Sequence, residues 1–170
     1  MSRQQKFMKK TEKFIETGSY FGDGIQLALD SGFTDVYSIE LGEHLHNGCR
    51  RRFQSNPHVH LILGDSSLQL KELLDQHPTT PFTYWLDGHF SAGITVRGSK
   101  DTPLYEELVS ILSRDVTGEV IYIDDMRYYR DHHDISLDEI LSLLEEYKPH
   151  ATYRFEPSSL DPEDCMVIEY

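Results

Sequence analysis

A doubly wound α/β fold is what this sequence predicts, from three observations. Apolar runs recur at fairly even intervals, a stretch with helical apolar spacing follows each of them, and the chain ends on two strand-like runs joined by a short polar loop. Near-continuous hydrophobicity along the first five runs implies a sheet covered on both faces. That favours right-handed βαβ units and a mostly parallel sheet.

The five runs are KFIET (13–17), DVYSIEL (35–41), VHLIL (59–63), FTYWL (82–86) and EVIYI (119–123). Between them, Asp65 or Ser66 is placed to cap a helix through Leu70, Leu73 and Leu74, which Pro78 and Pro81 then end. Thr102 before Pro103 marks another start. Ser136 and Glu139 supply both halves of a capping box ahead of Leu137, Ile140, Leu141, Leu144 and Tyr147. The last two runs, ATYRFEP (151–157) and CMVIEY (165–170), lie too close in sequence for a crossover helix, so they pair antiparallel.

The 170 residues suit one domain, read as 13–170 behind an N-terminal extension of residues 1–12. A formal charge of −13, with basic residues clustered at Arg50, Arg51 and Arg52, disfavours a nucleic-acid partner, which would need a basic surface to displace counterions. Cys49 and Cys165 form no CxxC pair, and a reducing cytoplasm suits them. No apolar run approaches the roughly 18 to 20 residues that span a bilayer, and the start has no signal-peptide core, so neither membrane nor export is expected.

The first strand runs into E-T-G-S-Y-F-G-D-G, placing Gly18, Gly22 and Gly24 where strand turns to helix. Glycine there lets backbone approach a ligand closely. The spacing is not the G-x-G-x-x-G of dinucleotide folds, and Glu16 would repel a phosphate. A carboxylate beside Tyr20 and Phe21 suits a ligand with an ammonium and a sulfonium instead. The second strand ends in S-I-E-L, so Glu40 falls about 20 positions after Gly18, where α/β folds place the acid that receives ribose hydroxyls. The third ends in L-G-D-S, where Asp65 or Ser66 serves either an adenine edge or a helix cap.

These motifs, with the later W-L-D-G-H, resemble class I S-adenosylmethionine-dependent methyltransferases, in particular the metal-dependent O-methyltransferases of catechol and macrolide-sugar type. The resemblance runs from about residue 13 onward and implies the strand order 3-2-1-4-5-7-6, with an antiparallel C-terminal strand. It also implies that Glu16, Gly18 and Ser19 line the methionine of the donor, with Tyr20 and Gly22 in the same turn. Glu40 would take the ribose, Asp65 and Ser66 the adenine, and Asp87 would border the donor.

The fourth and fifth strands end in W-L-D-G-H and I-Y-I-D-D-M-R, which brings Asp87, Asp124 and Asp125 to one sheet edge. Carboxylates gathered there repel unless a cation joins them, and an oxygen-only set suits Mg²⁺ or Mn²⁺. The family pattern has an acid–amide pair after strand five where this chain has Asp-Asp. Such a metal would hold a hydroxyl of a sugar or other small-molecule or glycan acceptor and lower its pKa. His89 is the first candidate base and Lys100 the second. His44, His46, His58, His60, His132 and His133 have no evident ligand partners. The loop with Gly93 and Gly98 reads as a lid, and Arg97, Lys100 and Arg127 either contact the substrate or offset the acids. About a dozen residues before the first strand leave no cap domain, so closure is left to loops or to a second copy of the chain. Two rival classes are a metal-dependent hydrolase, which leaves the glycine turn and Glu40 unexplained, and a donor-binding module without catalysis.

Overall fold

The computed structural model describes Phe7 and residues 10–88, 102–129 and 135–170. The strands are β1 (Lys13–Thr17), β2 (Asp35–Glu40), β3 (Val59–Leu63), β4 (Phe82–Leu86), β5 (Val120–Ile123), β6 (Thr152–Glu156) and β7 (Cys165–Glu169). The helices are α1 (Asp23–Asp30), α2 (Glu43–Arg52), α3 (Ser66–Asp75), α4 (Leu104–Leu112), α5 (Met126–Tyr129) and α6 (Leu137–Tyr147). The strands make one sheet in the order β3-β2-β1-β4-β5-β7-β6, parallel through β5 and antiparallel at β7. The expected fold class and strand order are those observed.

Strand alternation divides the core. Phe14 and Val36 face α1 and α2, where Ile25, Ala28 and Cys49 meet Trp85, Tyr122 and Val167. Ile15, Ile39, Tyr84 and Ile121 face the opposite way, onto the apolar stripes of α3, α4 and α6. The start signals act as read: Ser136 and Glu139 close the capping box of α6, Asp65 caps α3, and Thr102 Oγ1 accepts from the Leu104 amide. One reading needs correction. VHLIL does not lie under two full layers, because β3 is a sheet edge and its residues are only partly buried.

Two described residues of the N-terminal extension, Phe7 and Thr11, pack against the sheet. Phe7 is 4% exposed, its ring 4.8 Å from that of Phe14, 5.1 Å from Trp85 and 5.3 Å from Tyr122, and Thr11 pairs with Thr83 through their hydroxyls. Edge-to-face aromatic contacts of this kind stabilise beyond the area they bury.

At the amino edge of the sheet, just before β5, the buried Glu119 is fully engaged. Its Oε1 accepts from Arg114 Nη1 (2.6 Å), Tyr84 OH (2.7 Å) and the Phe82 amide (3.2 Å), and Oε2 accepts from Tyr170 OH (3.0 Å). Arg114 also donates to the carbonyls of His77 and Thr80, tying the α3–β4 connection to the end of α4. Removing Arg114 as alanine strands a buried charge and is expected to cost about 3–5 kcal/mol in urea denaturation. Removing the exposed Lys71–Asp75 pair should cost less than about 1 kcal/mol in the same measurement.

Candidate active site

One row of backbone hydrogen bonds carries the parallel ladder past the strand ends. Gly64 N donates to Glu40 O, Gly18 N to Ile39 O, Asp87 N to Thr17 O and Asp124 N to Leu86 O. The residues that leave the carboxyl edge of five neighbouring strands are thereby held in register. Between β1 and β4 the chain changes direction across the sheet, and such a switch point opens the crevice in which α/β folds bind ligands.

The turn after β1 lines that crevice. Gly18 has φ +85°, and a side-chain carbon there would lie 2.5 Å from the backbone oxygen of Asp87, so only glycine fits. Gly22, φ +83°, is the N-cap of α1, and Gly24 lies inside that helix against the Glu16 carboxyl. Tyr20 has φ 46°, a left-handed conformation that costs a non-glycine residue about 1–2 kcal/mol. Glu40 holds it there: Oε2 accepts from the Tyr20 amide (3.0 Å) and Oε1 from the Gly42 amide (2.7 Å). A carboxylate offers about four lone-pair sites, so Glu40 keeps acceptor capacity beyond these two amides. Tyr20 and Phe21, 47% and 54% exposed, meet with ring centroids 4.2 Å apart and planes tilted by 50°, and present an aromatic rim beside it.

Glu16 sits under this turn rather than in it. The register pairs Glu16 with Ser38, and Ser38 Oγ donates to the Glu16 carboxylate at 2.8 Å while meeting Ser19 Oγ at 2.5 Å. Glu16 is 2% exposed. Burial, opposed by the Ser38 hydrogen bond and reinforced by Asp87, Glu40 and Asp23, pushes its pKa up to about 8.

On the other face of the sheet a second acid lies below the same edge. Glu107 of α4 is 1% exposed, and burial raises its pKa to about 7 against the opposing influence of the Ser66 and Thr17 hydroxyls beside it. Neither Glu107 Oε1 nor Thr17 Oγ1 makes a well-formed hydrogen bond. Gly88 covers them, since a side-chain carbon there would meet Pro103, Glu107 and Ser66 at 3.2–3.4 Å. Asp65, expected at the adenine, caps α3 through the Ser67 amide.

Beyond β5, Asp124, Asp125 and Asp164 bring one carboxylate oxygen each within 4.8 Å of one another. Asp164 joins Asp124 and Asp125 in this group in the place expected for Asp87, although the charge of Asp87 still reaches Asp124 and helps burial raise its pKa to about 7. Arg127 pairs with both Asp125 and Asp164. His89 and Lys100 lie outside the described residues, as do Gly93, Arg97, Gly98, His132 and His133. His44 and His46 lie on α2, His58 immediately before β3, and His60 within it beside Asp35.

No family model matches the sequence, and no curated protein matches it. Solved structures do match. A Streptococcus mutans protein assigned as a methyltransferase, in complex with S-adenosylhomocysteine, aligns at 18% identity with TM-score 0.61, over 92% of this chain and 85% of that one. This is the class I methyltransferase fold. An assigned O-methyltransferase of Klebsiella pneumoniae aligns at 16% identity and TM-score 0.60, over 94% of this chain and 73% of that one. An assigned rRNA methylase of Clostridium thermocellum aligns at 15% and 0.60, over 94% and 88%. In the methyltransferase fold of this chain, Ser38, Thr17, Glu107 and Asp164 join the edge unannounced by any motif. Glu107 had one signal, a carboxylate on the Leu104, Leu108, Ile111 face of α4.

Both buried acids make stability depend on pH in a stated direction. Unfolded, Glu16 and Glu107 ionise near 4.5; folded, they keep their protons to about 8 and about 7. The native chain therefore holds more protons in that interval, and stability should fall as pH rises from 5 to 8. Glu107→Gln is expected to flatten the lower part of this slope in thermal melts, and an unchanged slope would contradict the assignment.

Proposed function

We propose that the chain is an S-adenosylmethionine-dependent methyltransferase that acts on a hydroxyl of a sugar or other small acceptor. The carrying observation is the turn after β1, where Gly18 has no room for a side chain and the Tyr20 amide, with the Gly42 amide after β2, fixes Glu40 with lone pairs to spare. In this reading Gly18, Ser19, Tyr20 and Gly22 line the methionine above Glu16, Glu40 receives the ribose, and Asp65 and Ser66 border the adenine. The acidic surround favours a sulfonium over a pyrophosphate, which dinucleotide folds bind at a helix N-terminus. Asp87, at the end of β4 and against Gly18, stands between donor and acceptor.

Transfer requires the acceptor oxygen in line with the sulfonium methyl, water kept out, and a group to take the hydroxyl proton. His89 is the first candidate for that proton and Lys100 the second. A net charge of −13 favours a small acceptor over a polyanionic nucleic acid, whatever the substrate of the rRNA-methylase neighbour. Among the described residues no helix is long and apolar enough to cross a membrane. The two buried free cysteines suit the cytoplasm.

A second reading, favoured by the approach of Asp124, Asp125 and Asp164, adds Mg²⁺ or Mn²⁺ held by these carboxylates together with Asp87. The oxygen-only set matches such an ion. Arg127, however, already neutralises two of the three, so the residues accept a metal only when Arg127 lets go. A bound ion would supply Lewis acidity to the acceptor oxygen.

In thermal melts, S-adenosylhomocysteine at 100 times its Kd should add about 2.7 kcal/mol of stability, whereas a metal-dependent hydrolase would respond to metal alone. Glu40→Ala should weaken donor binding about 10- to 100-fold in calorimetry. Labelled donor offered with a panel of hydroxyl acceptors, with Mg²⁺ or with chelator, reads transfer and its metal requirement together. Absence of association with either nucleoside at millimolar concentration sinks the proposal.

A further inference from the structure

We infer that Glu16 distinguishes the sulfonium donor from its demethylated product by giving up a proton when the donor binds. The inference rests on the donor-binding reading and goes beyond it. Its basis is a carboxyl group that is buried, sits directly under the donor turn and has no counter-ion among the described residues.

Among the described residues, three elements bring groups to Glu16. From β2 come Ser38, which donates to it at 2.8 Å, and the carboxylate of Glu40; from α1 come Asp23 and the close backbone of Gly24; from the end of β4 comes Asp87. Cys49 of α2 also lies within electrostatic reach, its thiol pushed up to about 11 by burial and then by Glu16. Among the described residues no lysine, arginine or histidine pairs with Glu16. The nearby cation, Arg52, is spent on Asp23 at 2.7 Å and on the Phe21 carbonyl at 2.6 Å. Burial, with Asp87 and Glu40 close by and Arg52 already bound to Asp23, makes the neutral carboxyl the resting form in the free protein.

S-adenosylmethionine carries one more positive charge than S-adenosylhomocysteine, at the sulfonium. Brought onto the turn over Ser19, that charge supplies the counter-ion Glu16 lacks, and the Ser19–Ser38–Glu16 hydroxyl chain connects the turn to the carboxyl. The step balances simply. The O–H bond of the Glu16 carboxyl breaks, its proton passes to solvent buffer, and the carboxylate remains opposite the sulfonium. When the methyl leaves, the sulfur becomes neutral, the carboxylate again lacks a partner, and reprotonation favours release of the product.

The test is isothermal titration calorimetry at pH 7 in two buffers of different ionisation enthalpy. The expected result is release of about one proton with S-adenosylmethionine and clearly less with S-adenosylhomocysteine, which carries the same ammonium group and so controls for the ligand's own titration. Affinity for the donor should rise about tenfold per pH unit below pH 8, and affinity for the product should rise less. Glu16→Gln should abolish the difference in proton count while still binding both nucleosides. If that variant fails to fold, the wild-type comparison of the two ligands decides alone. Equal proton release by both ligands, or release that persists in Glu16→Gln, overturns the inference and leaves the donor reading standing. No binding of either nucleoside overturns both.

Discussion

The row of hydrogen bonds that runs from Gly64 through Gly18 and Asp87 to Asp124 is the constraint on which the carboxyl edge depends. Strand pairing alone would end at Thr17 and Leu86. These extra bonds carry the order of the sheet into its loops, so residues far apart in sequence meet at fixed positions. Gly18 is where the constraint is tightest. Its backbone lies so close to that of Asp87 that no side chain fits between them, and its φ of +85° is one that side chains avoid. Tyr20 bears the strain of completing the turn, and the bond from its amide to Glu40 holds it. Residual strain of this kind persists only where the surroundings over-determine it, as they do at a ligand clamp.

The electrostatics of this edge follow from the same geometry. Because β1, β2, β4 and β5 end level with one another, Glu16, Glu40, Asp87 and Asp124 are brought together whether or not their charges agree. Two responses are visible. Beyond β5 an arginine moves in, and Arg127 spans Asp125 and Asp164. Under the turn after β1 and under Gly88 no base is at hand among the described residues, and Glu16 and Glu107 hold protons instead, as burial without a counter-charge requires.

The fold was legible because its signals are local and agree with one another. KFIET, FTYWL and CMVIEY are apolar enough to be strands, the Ser136–Glu139 box starts its helix where read, and the short link before Cys165 leaves only an antiparallel partner. The turn after β1 was partly legible, since the places of Gly18 and Glu40 are set by chain distance along one βαβ unit. The edge position of β3 was not, because a half-covered strand and a fully covered one share the same apolar run. Nor was the depth of Glu16 below the turn, which depends on its register against Ser38. Asp65 answered to two readings at once, and the cap is the one its side chain makes. Asp164 reached the acidic group through the antiparallel return of β7, a long-range placement that no local spacing encodes.

The two edges of the sheet show what this division of labour accomplishes. At the amino edge Glu119 is as buried as Glu16, yet it has an arginine, two tyrosine hydroxyls and an amide around it. That carboxylate is satisfied and has nothing to offer a ligand; it ties the α3–β4 connection, α4, β5 and the C-terminus into one rigid end. At the carboxyl edge Glu16 and Glu107, the same residue type, have no base paired with them among the described residues. An acid kept neutral only by its surroundings is costly to the free chain at neutral pH, and a cation arriving from outside removes that cost. Rigidity at one end and electrostatic deficit at the other arise from one sheet, and they differ in whether the described residues supply a counter-charge.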